Sequence, residues 1–289
     1  MPSAAPDPSP ALAAIPPIDL HVEERGAGRP VVLVHGWSFS SAAMAPLAEA
    51  LATSSRVLSI DLRGHGRSPA PSTGYDVQTA AQDVARVLDR AGLEGALLVG
   101  WSWGAEVALA AAAQLRSRLA GLALLSATPR FCTAAAAPGQ ADEDGWPHGT
   151  PEANVRALSR RLARDPAGTR RLFAEGMFAA GEPRPAALEA LLAGPLELHA
   201  ARATLDALAA ADLRADAQRL AGLSGLAVLL VHGESDPVVP PAASAWLARA
   251  IPGARRHELA GLGHAPHLSR PDLVAPLLQS FLASLPRLA

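Results

Sequence analysis

With 289 residues, 49% of them hydrophobic, the chain is long enough for one large domain or one domain with an insertion. Charged residues are 18% of the total and the formal net charge is −2, which excludes the strongly basic or acidic balance of a nucleic-acid or membrane-surface binder. A single cysteine, Cys132, cannot close an internal disulfide and has no zinc-type spacing around it, so it reads as an idle thiol.

The first 17 residues, MPSAAPDPSPALAAIPP, lack a basic start and an unbroken apolar run. They read as a disordered leader rather than a secretion signal. No apolar run reaches the roughly 18 residues of a membrane helix. A soluble, cytoplasmic, monomeric protein is expected. Short apolar runs follow in order: PVVLVHG (30–36), RVLSIDLRGHG (56–66), GALLVGWS (95–102), LAGLALLSA (119–127) and LAVLLVHGESD (226–236). Runs of this length suit strands buried on both faces of a parallel sheet. Helical patterns fill the gaps at about 42–53, 76–91, 103–116, 240–250 and 271–285. The alternation predicts an α/β fold with a mostly parallel, doubly wound sheet. It stops between 129 and 211, where Ala- and Leu-rich helical stretches offer no strand. The expected organisation is a core of 18–128 and 212–289 with a helical cap, 129–211, inserted over the C-terminal edge of the sheet, where ligands of such sheets bind.

The motif with chemistry is Gly100-Trp101-Ser102-Trp103-Gly104, between a predicted strand and a predicted helix. Glycines at those positions allow a sharp, strained turn that lifts a serine hydroxyl out of the sheet. The bland alternative is a helix N-cap. A nucleophilic serine needs a base, and the base needs an acid to orient it. Downstream, Asp236 follows one predicted strand in HGESDPVVP, and His264 follows the short strand RRHELA in GLGHAPHLSRP. The order Ser, Asp, His is that of this fold. Glu234 is the rival acid. His267 is the rival base, and His232, at a strand end, reads as structural. For the oxyanion, the backbone N–H groups of Trp37, in the loop HGWSFS, and Trp103 are the expected donors. No metal or organic cofactor is required.

These stretches, with DLRGHGRS, resemble the α/β-hydrolase superfamily from about residue 18 to 285. Within it the chain is similar to the family of pimeloyl-[acyl-carrier protein] methyl ester esterases. Its marks are Trp37 after His-Gly, Trp101 before Ser102, the entry to the cap LLSATPRFC…DGWPHG, and GHAPHLSRP. The resemblance implies a serine esterase with the triad Ser102, Asp236 and His264 that removes a methyl ester from a pimeloyl chain on acyl carrier protein. It implies that Trp37, Trp103, Phe173 and Met177 line the acyl pocket and that Arg171 contacts the carrier. Trp103 stands where that family commonly has leucine. Independently, Arg156, Arg160 and Arg164 fall four residues apart on one helix face. They form either a patch for an acidic partner or an ordinary solvated face. Rival activities are a general carboxylesterase, a carbon–carbon bond hydrolase, a haloperoxidase-like esterase and a prolyl aminopeptidase. A rival of another class is a noncatalytic small-molecule receptor on the same fold.

Overall fold

The structure is a computed structural model that describes residues 15–135, 145–221 and 226–286. Residues 1–14 of the expected leader lie outside the described residues, as does part of the cap entry, 136–144. The elements follow in chain order. The first half holds β1 (Val22–Arg25), β2 (Arg29–Val34), α1 (Ala45–Ala52), β3 (Ser55–Ile60), α2 (Val77–Arg90), β4 (Ala96–Trp101), α3 (Trp103–Gln114) and β5 (Leu119–Leu125). Next come α4 (Glu152–Arg164), α5 (Pro166–Glu175), α6 (Leu188–Ala193) and α7 (Leu198–Ala210). The chain ends with α8 (Arg214–Ala221), β6 (Ala227–Gly233), α9 (Pro241–Ala250), β7 (Arg255–Leu259), α10 (Pro266–Ser269) and α11 (Pro271–Ser284).

The five expected apolar runs became β2 to β6. Every residue of β4 and β5 is buried, as a strand covered by helices on both faces must be. The sheet order is β1-β3-β2-β4-β5-β6-β7, parallel except for β1. β1 was not foreseen. It is a four-residue edge strand, VEER, whose Glu24 pairs with Arg56 of β3, so its charges hide the apolar pattern of a strand. α8 was not foreseen either; its polar sequence, RADAQRLA, lacks an apolar stripe as clear as that of α2. α2 begins at Asp76, whose carboxyl accepts the Thr79 N–H at 2.9 Å and caps the helix.

Chain direction reverses across β2. The chain moves from β2 to β3 on one side and then crosses back to β4 on the other. The register pairs Val34 with Gly100, so the loops after β2 and β4 leave the sheet side by side. That is the switch point at which open α/β sheets bind ligands. α4 to α8 lie between β5 and β6 in chain order; α4 to α7, the expected insert, are called the insert below, and no described helix is long and apolar enough to cross a membrane.

A buried ion pair fixes the loop after β3. Arg63 donates through Nε and Nη2 to both carboxyl oxygens of Asp83 on α2, at 2.6 and 2.8 Å, with both side chains buried. Asp83 also accepts the Ile18 N–H at 2.7 Å, which anchors the chain just before β1. Replacing Asp83 with alanine strands a buried guanidinium and should cost about 3–5 kcal/mol. Urea unfolding measures this; the double variant Arg63→Met/Asp83→Leu should lose much less, because no buried charge is left alone.

Candidate active site

Ser102 sits at φ 55°, ψ −120°, between the last residue of β4 and the first of α3. L-residues avoid positive φ at a cost of about 1–2 kcal/mol, so the turn is held by its surroundings. Two backbone contacts hold it. A Cβ on Gly104 would stand 2.4 Å from the Val34 carbonyl oxygen, and one on Gly100 would stand 2.2 Å from the Gly104 oxygen. Both glycines are therefore demanded by close backbone approach, and the N-terminus of α3 lies directly against the end of β2. The Ser102 N–H donates to the Leu125 carbonyl of β5 at 3.0 Å.

The structure brings Ser102, His264 and Asp236 into one chain of hydrogen bonds. His264 Nε2 lies 2.8 Å from Ser102 Oγ, and His264 Nδ1 lies 2.8 Å from Asp236 Oδ2. Both the imidazole and the carboxyl are fully buried. Burial alone would raise the Asp236 carboxyl; the facing imidazoles of His264 and His232 outweigh it and hold the group well below the usual carboxylate range. An ionised carboxylate only accepts, so the His264 proton is on Nδ1 and Nε2 is free to accept from the serine hydroxyl. Asp236 Oδ1 takes the N–H groups of Val238 and Val239 at 2.8 and 2.9 Å.

The rivals lie elsewhere. Glu234 is exposed and accepts the Gly261 N–H at 3.1 Å. His267 is buried against the Trp101 ring, 4.6 Å between centroids, and burial pushes its pKa down to about 3, so it stays neutral. His232 does more than its place at a strand end foretold. Its Nε2 lies 3.1 Å from Asp236 Oδ2 and 3.0 Å from the Val239 carbonyl, a second imidazole on the same carboxylate.

The loop after β2 is organised by two neutral imidazoles. His35 accepts the Leu62 N–H at Nε2 (3.0 Å) and donates from Nδ1 to the Gly36 carbonyl (2.8 Å). His65 lies beside it with ring centroids 5.2 Å apart; burial first, and the neighbouring His35 second, push its pKa down to about 3. A Cβ on Gly36 would stand 3.2 Å from Ser102 Cβ, so Trp37 leaves the turn next to the serine. Among the described residues, neither the Trp37 nor the Trp103 backbone N–H has a protein acceptor. Two free donors thus flank the hydroxyl, and the arrangement can take charge on an oxygen there.

The aromatic side chains divide. Trp37 donates through Nε1 to the Ala201 carbonyl of α7 at 2.8 Å and meets Phe173 of α5 edge to face at 5.0 Å. Trp103 and Met177 are buried, and Phe173 is half-buried. Trp101 is a strut: its Nε1 donates to the His264 carbonyl at 2.9 Å. Of the cap arginines, Arg156 and Arg160 are exposed on α4 and, with Arg130 and Asp206, line a groove of about 600 Å³ against α7. Arg171 is exposed and paired with Glu189 at 2.5 Å. Arg170 is buried and donates to the carbonyls of Leu191, Leu192 and Gly194.

A strand-to-helix serine with this partnered imidazole and carboxylate defines a hydrolase-type site on an α/β sheet, and the α/β-hydrolase fold family matches residues 29–271. The chain is 34% identical to the pimeloyl-[acyl-carrier protein] methyl ester esterase of Stenotrophomonas maltophilia, over 92% of this chain and 97% of that relative. It is 33% identical to the protein of that name from Chromobacterium violaceum, over 87% and 93%. Among solved structures, an esterase from Exiguobacterium antarcticum superposes with a TM-score of 0.82 at 28% identity, over 92% of this chain and 96% of that one. The chain belongs to the α/β-hydrolase fold family and, within it, to the pimeloyl-[acyl-carrier protein] methyl ester esterases.

One buried group was not foreseen. Glu106, one turn into α3, is 1% exposed and its carboxyl has no hydrogen-bond partner among the described residues. Burial raises its pKa well above the ordinary value. As pH rises past about 4.5 the unfolded chain ionises here and the folded chain does not, so this group's contribution to stability falls with pH. Glu106→Gln removes that slope. The variant should therefore gain on the wild type from pH 5 to pH 8, by up to about 1.4 kcal/mol per pH unit, in urea unfolding. A difference independent of pH would mean that Glu106 is ionised in the folded protein.

Proposed function

We propose that this protein is a two-step serine esterase whose substrate is the methyl ester of a pimeloyl chain on acyl carrier protein. The observation that carries the chemistry is the unbroken hydrogen-bond series Ser102–His264–Asp236 beside two free backbone N–H groups. Ser102 Oγ attacks the ester carbonyl while His264 Nε2 takes its proton. The imidazolium that forms is stabilised by Asp236, and the Trp37 and Trp103 N–H groups receive the oxyanion. The tetrahedral intermediate collapses as His264 hands its proton to the departing alcohol, methanol. Water then attacks the acyl-enzyme, giving its proton to His264, and Ser102 regains a proton as the acid leaves.

The relatives named as pimeloyl-[acyl-carrier protein] methyl ester esterases support the carrier-bound substrate. Arg160, exposed at the α4–α7 groove, offers positive charge to an acidic carrier, and Arg156 and Arg171 would exchange their exposed partners Glu152 and Glu189 for it. Phe173 and Met177, next to Trp37 and to the histidine loop, are the proposed cap contacts of the acyl chain.

Ser102→Ala should fold normally and lose at least about a thousandfold in kcat. Pimeloyl-carrier methyl ester should be preferred to free dimethyl pimelate. Reversal of Arg156, Arg160 and Arg171 to glutamate should lower kcat/KM for the carrier-bound ester on the order of tenfold and leave the free ester unchanged. Equal turnover of free and carrier-bound esters, indifferent to those reversals, would make the protein a general carboxylesterase.

A further inference from the structure

The segment that follows α5 is bonded to the loop that carries His264. The Met177 carbonyl accepts the His264 backbone N–H at 2.7 Å. Glu182 lies five residues further on and is buried. Its Oε2 stands between two backbone donors, the Ala179 N–H at 2.7 Å on its own segment and the Gly263 N–H at 2.8 Å beside the histidine. Its Oε1 accepts the hydroxyl of Ser269 at the end of α10. The two segments approach so closely because residue 263 has no side chain: a Cβ there would stand 2.4 Å from the Met177 oxygen and 2.7 Å from the Ala179 nitrogen.

A buried carboxyl that gathers three donors from two parts of the chain is expensive to desolvate and strongly directional once bonded. Its partners here are the backbone immediately before His264 and the short helix immediately after it. Among the described residues, the His264 backbone has two further bonds, from its N–H to the Met177 carbonyl and to its carbonyl from the Trp101 indole. We propose that Glu182 is a positioning residue for the base. By joining the insert to both ends of the histidine loop, it holds that loop where His264 Nε2 meets Ser102 Oγ. The inference rests on the reading of Ser102 and His264 as nucleophile and base. It makes the insert part of the catalytic framework as well as a cover for the acyl chain.

The test uses the full-length protein and p-nitrophenyl acetate, a substrate too short to need the acyl-chain contacts of the insert. Active sites are counted by stoichiometric labelling with a fluorophosphonate. Glu182→Ala should lose about 10–100-fold in kcat per labelled site with KM nearly unchanged, because misplacing a reacting group by an ångström costs that much. Glu182→Gln should recover most of the loss: its amide oxygen accepts both N–H groups, and the Ser269 hydroxyl turns to accept from the amide. If the alanine variant shows no cooperative unfolding, Glu182→Met replaces it, filling the volume without an oxygen. Lowered thermal stability with kcat per site intact would overturn the proposal, as would a loss confined to KM or a glutamine variant no better than the oxygen-free one. Labelling of the wild type that Ser102→Ala abolishes checks the nucleophile separately, so failure of that assignment and failure of the Glu182 assignment give different results.

Discussion

The site depends on one contact, that between the backbone of Gly104 and the carbonyl oxygens of Val34 and His35 at the end of β2. It seats the N-terminus of α3 on the sheet, and the seat forces Ser102 into a left-handed conformation. Any side chain at 104 would drive helix and strand apart. That would relax the turn, swing the hydroxyl and separate the two backbone donors that flank it. A strained serine is maintained because parallel register, helix packing and two glycines all require it.

Around that contact the polar supports are uncharged or fully compensated. His35 and His65 work as neutral imidazoles, each with a defined donor and acceptor, and burial keeps them so. Asp61, on the loop after β3 that also carries His65, accepts the Ser41 and Arg67 N–H groups at 2.6 and 2.9 Å. Asp236 keeps its charge despite burial because two imidazoles and two backbone N–H groups face it. The site thus holds carboxylates whose charge is met by imidazoles and backbone N–H groups, together with a set of fixed dipoles, the arrangement in which charge arising on a substrate oxygen needs little reorganisation.

The parts of this architecture that could be read from sequence are those set by local rules. Strands β2 to β6 are apolar runs of the right length, and Gly100 and Gly104 mark the elbow by spacing alone. Asp236 and His264 were legible because each ends or follows a strand in the expected order. The rest depends on contacts between distant residues. β1 carries charge because it is an edge. His232 lies one helical turn in sequence from Asp236, yet only the bend after β6 folds it back onto the carboxylate. The role of Glu182 needs Gly263, 81 residues away, and Arg170 turns inward to carbonyls of α6 that no periodicity foretells. Glu106 was visible as an acid in an alanine-rich helix, but only packing shows that no described group bonds its carboxyl.

The insert between β5 and β6 therefore has two faces with different physics. Its outer face is exposed and ion-paired in places, as Arg156 with Glu152 and Arg171 with Glu189 show. Pairs of this kind contribute little to stability and yield readily to a charged partner. Its inner face is buried and bonded: Ala201 to Trp37, Met177 to His264, Glu182 to Gly263. Those bonds reach both the loop that presents the Trp37 N–H and the loop that carries His264. The exposed charges and the bonds to the loops beside Ser102 therefore sit on one continuous segment of the chain. The segments are joined by directional hydrogen bonds and by apolar packing together: Met177 and Phe178 share a core with Trp101, Ala265 and Leu268, and Phe173 meets the Trp37 ring. On the proposed reading, the segment that would meet the carrier is the same one that bonds the His264 loop in place.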